Sequence, residues 1–295
     1  MNPSTRTQLL AFAFFAAVSI VFWWRPLATT LHLALTNDAY THILLILPLS
    51  VALIYFDSQY HQSPALRFDP SPSPLLGTTL LFLASLLAVY TRWGMPTTPD
   101  DLRLSLAMCA LVTWWIAAIL FCFGAKTFRS FLFPLCFLFL LVPIPEFAVN
   151  WIVGFLQYQS ALAARIMFRA AGVPVTQNGI LLFIPGLALE VARECSSIRS
   201  SLMLIITTMV LAHLFLRSWW RKLLLVMIAI PLSVLKNALR IFTIAELATR
   251  VDPGFLDGKL HHHGGIIFFA IAVVAMLALL WILHRTEFRR HLRHP

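Results

Sequence analysis

The stretch GGIIFFAIAVVAMLALLWIL, residues 264–283, contains no charged side chain. A helix needs about 20 mainly apolar residues to cross the hydrocarbon core of a bilayer. The stretch therefore predicts a transmembrane helix, and similar stretches recur along the whole chain. We predict about eight spans, with seven or nine as the alternatives, at 8–24, 42–56, 74–91, 102–123, 128–143, 196–216, 222–244 and 264–283.

The composition of the chain supports a membrane protein. Of the 295 residues, 60% are hydrophobic and only 12% are charged, whereas soluble domains carry about 25% charged residues. The net charge of +10 fits cytoplasmic Lys and Arg near helix ends better than nucleic acid, because no basic soluble segment with interleaved aromatic residues exists. We predict an all-α integral membrane protein, one polytopic helical bundle forming a single domain over residues 1–295.

Basic residues also predict the orientation of the spans. The clearest clusters are Arg217, Arg221 and Lys222 before the seventh span, and Arg285–Arg293 after the eighth. Cytoplasmic segments are enriched in Lys and Arg, and both clusters fall on the same side of an eight-span arrangement. Both chain termini are therefore expected in the cytoplasm.

Residues 144–195 form the longest region between spans, and the orientation places them outside the cytoplasm as a small cap. Residues 147–169 have the length of a helix but carry polar side chains that favour an interfacial or re-entrant helix. Val173–Ile180 contains an Asn-Gly pair between β-prone residues, which indicates a possible β-hairpin. Residues 187–191 read as another short extended piece.

Cys195 is the one cysteine in polar surroundings, Arg193-Glu194-Cys195-Ser196-Ser197, at the outer entrance of the sixth span. The other three cysteines lie in apolar stretches, where a thiol stays protonated and inert. Arg199 follows Cys195 by four residues and shares its helix face, so it could help to stabilise a thiolate. The alternative is that Cys195 and the nearby serines are small residues that allow close helix packing.

Two cations interrupt the apolar seventh span. Lys236 and Arg240 are one helical turn apart, and Asn237 lies on the same face as Arg240. A cation near the middle of a bilayer costs about 2.5–3.5 kcal/mol, so the pair predicts a polar cavity or a partner. Snorkelling to lipid headgroups is the alternative, but Asn237 favours a polar site.

Three consecutive histidines, His261, His262 and His263, precede the eighth span. They could bind a metal, but Asp257 is the only nearby residue at ligand spacing. They could form a plain interfacial loop, or one histidine could transfer protons at neutral pH.

The thiol, arginine and histidine all fall at the outer ends of successive spans. Together they supply the nucleophile, the oxyanion-stabilising cation and the proton shuttle that acyl transfer requires.

The ordered motifs resemble those of the exosortase/archaeosortase family of membrane transpeptidases, over most of the chain. Ser197 stands where that family usually has a glycine. The matching elements are Asp38-Ala39-Tyr40-Thr41-His42, Val142-Pro143-Ile144-Pro145, Glu190–Ile198 with Cys195, Asn237–Ile241 with Arg240, and His261 with Gly265 and Phe269.

The resemblance implies a catalytic core over about residues 190–283, with Cys195, Arg240 and His261 as catalytic residues. Asn237, Arg199 and His262 would support them, and His262 is the alternative to His261. Neither a cofactor nor a metal is expected. The implied substrates are exported proteins whose C-terminus carries a short motif such as Pro-Glu-Pro, a transmembrane helix and a basic tail.

The resemblance also implies a location in the bacterial inner membrane, with the active site facing the outside. Membrane lipid is an expected partner, nucleic acid is not, and the acceptor molecule stays open. One alternative function is a non-enzymatic transporter or accessory subunit in exopolysaccharide assembly, for which the sequence shows no inverted repeats. A metal-dependent intramembrane protease is another, but the chain lacks the H-E-x-x-H pattern.

Overall fold

The computed structural model describes residues 3–60, 74–94, 97–191, 198–252, 254 and 265–293. These residues are mainly helical and form two compact units, 1–148 and 149–295. The helices are α1 (Pro3–Phe22), α2 (Trp24–Thr36), α3 (Ile43–Tyr60), α4 (Pro74–Trp93), α5 (Asp100–Ser130), α6 (Leu132–Phe137), α7 (Glu146–Ala170), α8 (Ile198–Phe215), α9 (Trp219–Arg250) and α10 (Gly265–Arg293).

Six helices in the described part of the chain are long and apolar enough to cross a membrane, or up to eight spans if each of two bent helix pairs counts as one. The single helices are α3, α4, α5, α8, α9 and α10. The bent pairs are α1 with α2, and Leu132–Leu141 with α7. The prediction of a polytopic helical membrane protein with about eight spans is confirmed. A single domain with a cap at 144–195 and a core at 190–283 stays a prediction.

The first bent pair turns by 73° at Trp23. The Trp23 ring is buried and its Nε1 donates to the Ala107 carbonyl of α5 at 2.9 Å, which fixes the break. The sequence predicted spans at 8–24 and 42–56, with no helix between them. α2 nevertheless forms, because Pro26 lies in its first turn, where the backbone N–H groups lack intrahelical partners anyway.

Close helix packing holds the first unit together. A Cβ atom placed on Gly77 of α4 would lie 2.7 Å from the Phe121 Cα of α5, so only glycine permits this approach. α5 is interrupted at Gly124, whose φ of 80° is readily adopted only by glycine. This interruption coincides with the predicted end of the fourth span at residue 123.

Two of the sequence motifs meet before α7. The Tyr40 hydroxyl donates to the Ile144 carbonyl at 2.8 Å, and the Ser105 hydroxyl donates to the Pro143 carbonyl at 2.6 Å. An Asp101 carboxylate oxygen accepts from the Glu146 backbone N–H at 2.7 Å. These side chains bind the backbone of the Val142–Pro145 element and so determine where α7 begins.

The region between the fifth and sixth predicted spans contains the predicted hairpin. Strands β1 (Thr176–Asn178), β2 (Leu181–Ile184) and β3 (Leu187–Glu190) form an antiparallel sheet in that order. The first turn has a positive φ only at Gly179, as in a type II′ turn, and the second has it at Gly186 after Pro185, as in a type II turn. The sequence predicted the Asn-Gly hairpin, and the structure places both turn residues, Gly179 and Ile180, after Asn178.

The sheet packs on two helices of the second unit. Its core contains apolar residues from α7, from the sheet and its flanks, and from α9: Ala161, Ala164, Phe168, Val175, Leu182, Ile184, Val191, Ala238, Ile241 and Ala245. At the other end of α9, the Glu287 carboxylate of α10 accepts from the Arg217 and Ser218 backbone N–H groups at 3.1 and 2.7 Å. These contacts fix the register of α8, α9 and α10.

Candidate active site

α9 carries the polar group at the centre of the candidate site. Lys236 is 7% exposed and Asn237 is 1% exposed, although both lie in an otherwise apolar helix. Arg240 is half-buried one turn further along. The Asn237 side-chain nitrogen has no hydrogen-bond partner among the residues that the structure describes. A buried, unpaired donor is costly, so this position suits a site that receives an acceptor group.

The first turn of α8 is bound to α9 by two side-chain hydrogen bonds. Lys236 Nζ donates to Ser200 Oγ at 2.5 Å, and Ser233 Oγ donates to Ser201 Oγ at 2.6 Å. Hydroxyl groups at the entrance of α8 therefore provide the polar environment that the buried ammonium needs. Arg199 lies in the same turn and is exposed.

The start of α10 lies beside the Arg240 guanidinium. A Cβ atom placed on Gly265, the first residue of α10, would lie 3.7 Å from Arg240 Nη1. This distance is an ordinary van der Waals contact. The structure therefore brings Arg240 next to the glycine that the sequence motif pairs with His261, and Lys236 next to the helix that follows Cys195.

Three of the six predicted site residues, Cys195, His261 and His262, lie outside the described residues. The described ones, Arg199, Asn237 and Arg240, lie on the first turn of α8 and on α9. The other cysteines are free thiols in α5 and α6: Cys109 is half-buried, Cys122 is buried and Cys136 is exposed. Among the described residues, no group of three or more His, Cys, Asp or Glu side chains could hold a metal ion.

Gln157 contacts the chain that leads to Cys195, a contact that the sequence did not predict. Its side chain is 7% exposed on α7, and its Nε2 donates to the Val191 carbonyl at 2.7 Å. The Val191 backbone N–H in turn donates to the Ile180 carbonyl at 3.1 Å. Val191 is therefore fixed from both sides, four residues before Cys195. The only feature of the sequence that could have indicated this contact is that Gln157 lies among small residues on one face of α7.

The arrangement presents positively charged and N–H donor groups where α8 and α10 begin. Such donors stabilise negative charge on a thiolate or on the oxygen of a tetrahedral intermediate. The family model described as Transmembrane exosortase (Exosortase_EpsH) matches residues 23–278, which include every motif quoted above. No curated protein and no solved structure matches the chain significantly. The chain thus belongs to the transmembrane exosortase family and is a multi-pass membrane protein.

Proposed function

We propose that this protein is a membrane-embedded cysteine transpeptidase that cleaves the C-terminal sorting signal of exported proteins and transfers them to an acceptor. Membership of the exosortase family implies a sorting transpeptidase that acts on such signals. The observation that carries the assignment to particular residues is the contact of Arg240 with the start of α10. α9 also binds the start of α8 through Lys236.

Cys195 is the proposed nucleophile. Cys195 precedes Ile198, where α8 begins, by three residues, and three residues of extended chain span at most about 11 Å. The positive end of a helix dipole and nearby cations both favour a thiolate over a thiol. Lys236 contacts this end of α8 directly, and Arg199 lies within its first turn.

Arg240 is proposed to stabilise the developing oxyanion or to hold the thiolate. The Cys195 sulfur attacks the scissile carbonyl carbon, and the negative charge passes to the carbonyl oxygen. A guanidinium offers rigid N–H donors for that oxygen. Asn237, one turn before Arg240 on the same helix, is the proposed orienting residue and a second donor.

His261 is proposed to donate a proton to the leaving amine when the peptide C–N bond breaks. The product is a thioester between Cys195 and the exported protein. An amine acceptor, or water, then attacks the thioester, gives up its proton to the neutral histidine and releases the thiolate. His262 is the alternative proton donor, since it is adjacent in sequence.

The proposed setting is the bacterial inner membrane, with both termini in the cytoplasm and the active site facing outside. The substrate signal would be a short motif, an apolar helix and a basic tail. Such a signal would leave the scissile bond next to the membrane boundary. The basic clusters at Arg217–Lys222 and Arg285–Arg293 support this orientation.

The test is to co-express the protein with a tagged exported protein that ends in such a signal, and to follow its size. We expect Cys195→Ala to abolish processing, whereas Cys136→Ala, at an exposed thiol, should leave it unchanged. Arg240→Gln should lower the rate by about 10²–10³-fold, with Arg250→Gln as the control on the same helix. Full processing by Cys195→Ala would reject the mechanism. If cellular function were retained in Cys195→Ala but lost in Arg240→Gln, a transporter would be favoured.

A further inference from the structure

A cavity of about 790 Å³ opens beside the break between α1 and α2. The end of α4 and the beginning of α5 complete its wall. All of its lining residues belong to the first unit, whereas Arg240 and the rest of the candidate active site belong to the second. Its size is in the range of cavities that hold small ligands, about 300–1,000 Å³.

The charged residues of the cavity do not balance. Arg25, Arg92, Arg103 and His32 line it together with Asp100 and Asp101. Arg103 forms an ion pair with Asp100, and Asp101 accepts from the Glu146 backbone N–H. Within the described ranges, Arg25 and Arg92 form no ion pair with an acidic residue. With His32 neutral, the three arginines and two aspartates leave the lining one positive charge in excess, and neither Arg25 nor Arg92 is paired with an aspartate of the lining.

Aromatic rings hold Arg92 in place. Its guanidinium carbon lies 5.8 Å from the centroid of the Phe22 ring and 5.4 Å from that of the Trp93 ring. Rings that contact a guanidinium restrict its rotamers and leave N–H groups for an oxygen ligand. The site is therefore suited to an anion with several oxygen atoms, such as a phosphate, which arginine binds through two parallel hydrogen bonds.

The surroundings of the two arginines are those of a membrane boundary. Candidate spans end or begin here: α1 at Phe22, α4 at Trp93 and α5 at Asp100. Val21 and Trp24 line the cavity and are 80% and 65% exposed. Exposed tryptophan and aliphatic side chains next to cations match the depth of lipid headgroups. We propose that this cavity binds a glycerophospholipid, with its phosphate on Arg25 and Arg92 and its acyl chains along the apolar rim.

Binding can be measured on the purified full-length chain in detergent by native mass spectrometry. We expect phosphatidylglycerol to stay bound and diacylglycerol, which lacks the phosphate, to be lost. Arg25→Gln and Arg92→Gln should each weaken phosphatidylglycerol binding about tenfold, as expected for the loss of one charge-assisted contact. Arg169→Gln, at an exposed arginine at the end of α7 and outside the cavity, should have no effect.

Thr29→Trp tests the cavity with its charges intact, because Thr29 is an exposed lining residue whose enlargement would fill the space. It should also release phosphatidylglycerol. Inorganic phosphate is the probe for the same chemistry without acyl chains. Unchanged lipid binding in the Arg25→Gln/Arg92→Gln variant would overturn the proposal. So would displacement of the lipid by inorganic phosphate at equal concentration, because the ligand would then be free phosphate.

Discussion

Lys236 on α9 donates a hydrogen bond to the Ser200 hydroxyl in the first turn of α8, with 2.5 Å between Nζ and Oγ. The lysine is 7% exposed, inside a helix long and apolar enough to span the membrane. A buried ammonium needs hydrogen-bond acceptors to offset the loss of its hydration. The stability of the second unit and the position of α8, the helix that follows Cys195, therefore depend on the same hydrogen bond.

Removing the acceptor should be more harmful than removing the charge. Ser200→Ala leaves a buried ammonium without this acceptor, and we expect the free energy of unfolding to fall by about 1–3 kcal/mol. Lys236→Met removes the charge together with its desolvation cost, so the fold should lose less or gain stability. Thermal unfolding of the purified variants in one detergent measures both effects.

Ser201→Ala is the matched control, because it removes a neutral hydrogen bond to Ser233 between the same two helices. Its cost should be about 0.5–1.5 kcal/mol. The variant Ser200→Ala/Lys236→Met should be more stable than Ser200→Ala alone. Equal losses in the free energy of unfolding of Ser200→Ala and Ser201→Ala would show that the charge of Lys236 adds nothing to the cost of removing its acceptor.

Tyr40 should stabilise the break before α7 through its single hydroxyl. Tyr40→Phe keeps the ring, which is 8% exposed, but removes the donor to the Ile144 carbonyl. We expect a loss of about 1–3 kcal/mol in stability, because a part-buried carbonyl then lacks that donor. Tyr90→Phe, at a tyrosine that is 52% exposed on α4, is the control and should change little. Equal unfolding midpoints for the two variants would contradict this role.

The parts of the structure that the sequence predicted depend on local composition. Long apolar stretches predicted the membrane spans, and the Asn178-Gly179 pair between β-prone residues predicted the hairpin, whose observed turn needs a positive φ only at Gly179. The charges of Lys236 and Arg240 indicated a polar site, since cations are costly in an apolar helix. Each of these signals lies within a few residues of the feature that it predicts.

The parts that the sequence did not predict depend on backbone groups far along the chain. Gln157 binds the carbonyl of Val191, and Trp23 binds the carbonyl of Ala107. Every residue has a carbonyl, so nothing in the sequence marks these two as acceptors. α2 was not predicted, and its start follows from the 73° bend at Trp23, which places Pro26 in the first turn of a new helix.

Gln157 should act as a positioning residue for the chain before Cys195. Gln157→Leu keeps the size of the buried side chain but removes the donor to the Val191 carbonyl. If the proposed function is correct, processing should fall several-fold with little change in the KM for substrate, and Gln157→Glu should not restore it. Gln159→Leu, two residues along α7 and half-buried, is the matched control.

Two further measurements separate positioning from general destabilisation. The free energy of unfolding of Gln157→Leu should fall by no more than about 1–3 kcal/mol, the cost of leaving the buried Val191 carbonyl without this donor. The rate at which Cys195 reacts with a small alkylating reagent should change in Gln157→Leu and stay constant in Gln159→Leu. An unchanged alkylation rate with reduced processing would contradict a positioning role.

Gly265 should tolerate a methyl group but not a larger side chain, because of its contact with Arg240. The Cβ of Gly265→Ala would lie 3.7 Å from Arg240 Nη1, which is an ordinary contact distance. Processing should therefore remain within about twofold of the original rate, which is less than the tenfold change that 1.4 kcal/mol represents. Gly265→Leu would put further carbon atoms into the space of the guanidinium and displace it. We expect processing to fall by about tenfold or more, since misplaced catalytic groups lose about 10²-fold per ångström. Gly154→Leu is the control, because nothing lies within 4 Å of a Cβ there. Equal processing by Gly265→Leu and Gly154→Leu would show that the position of Arg240 beside α10 does not matter to the reaction.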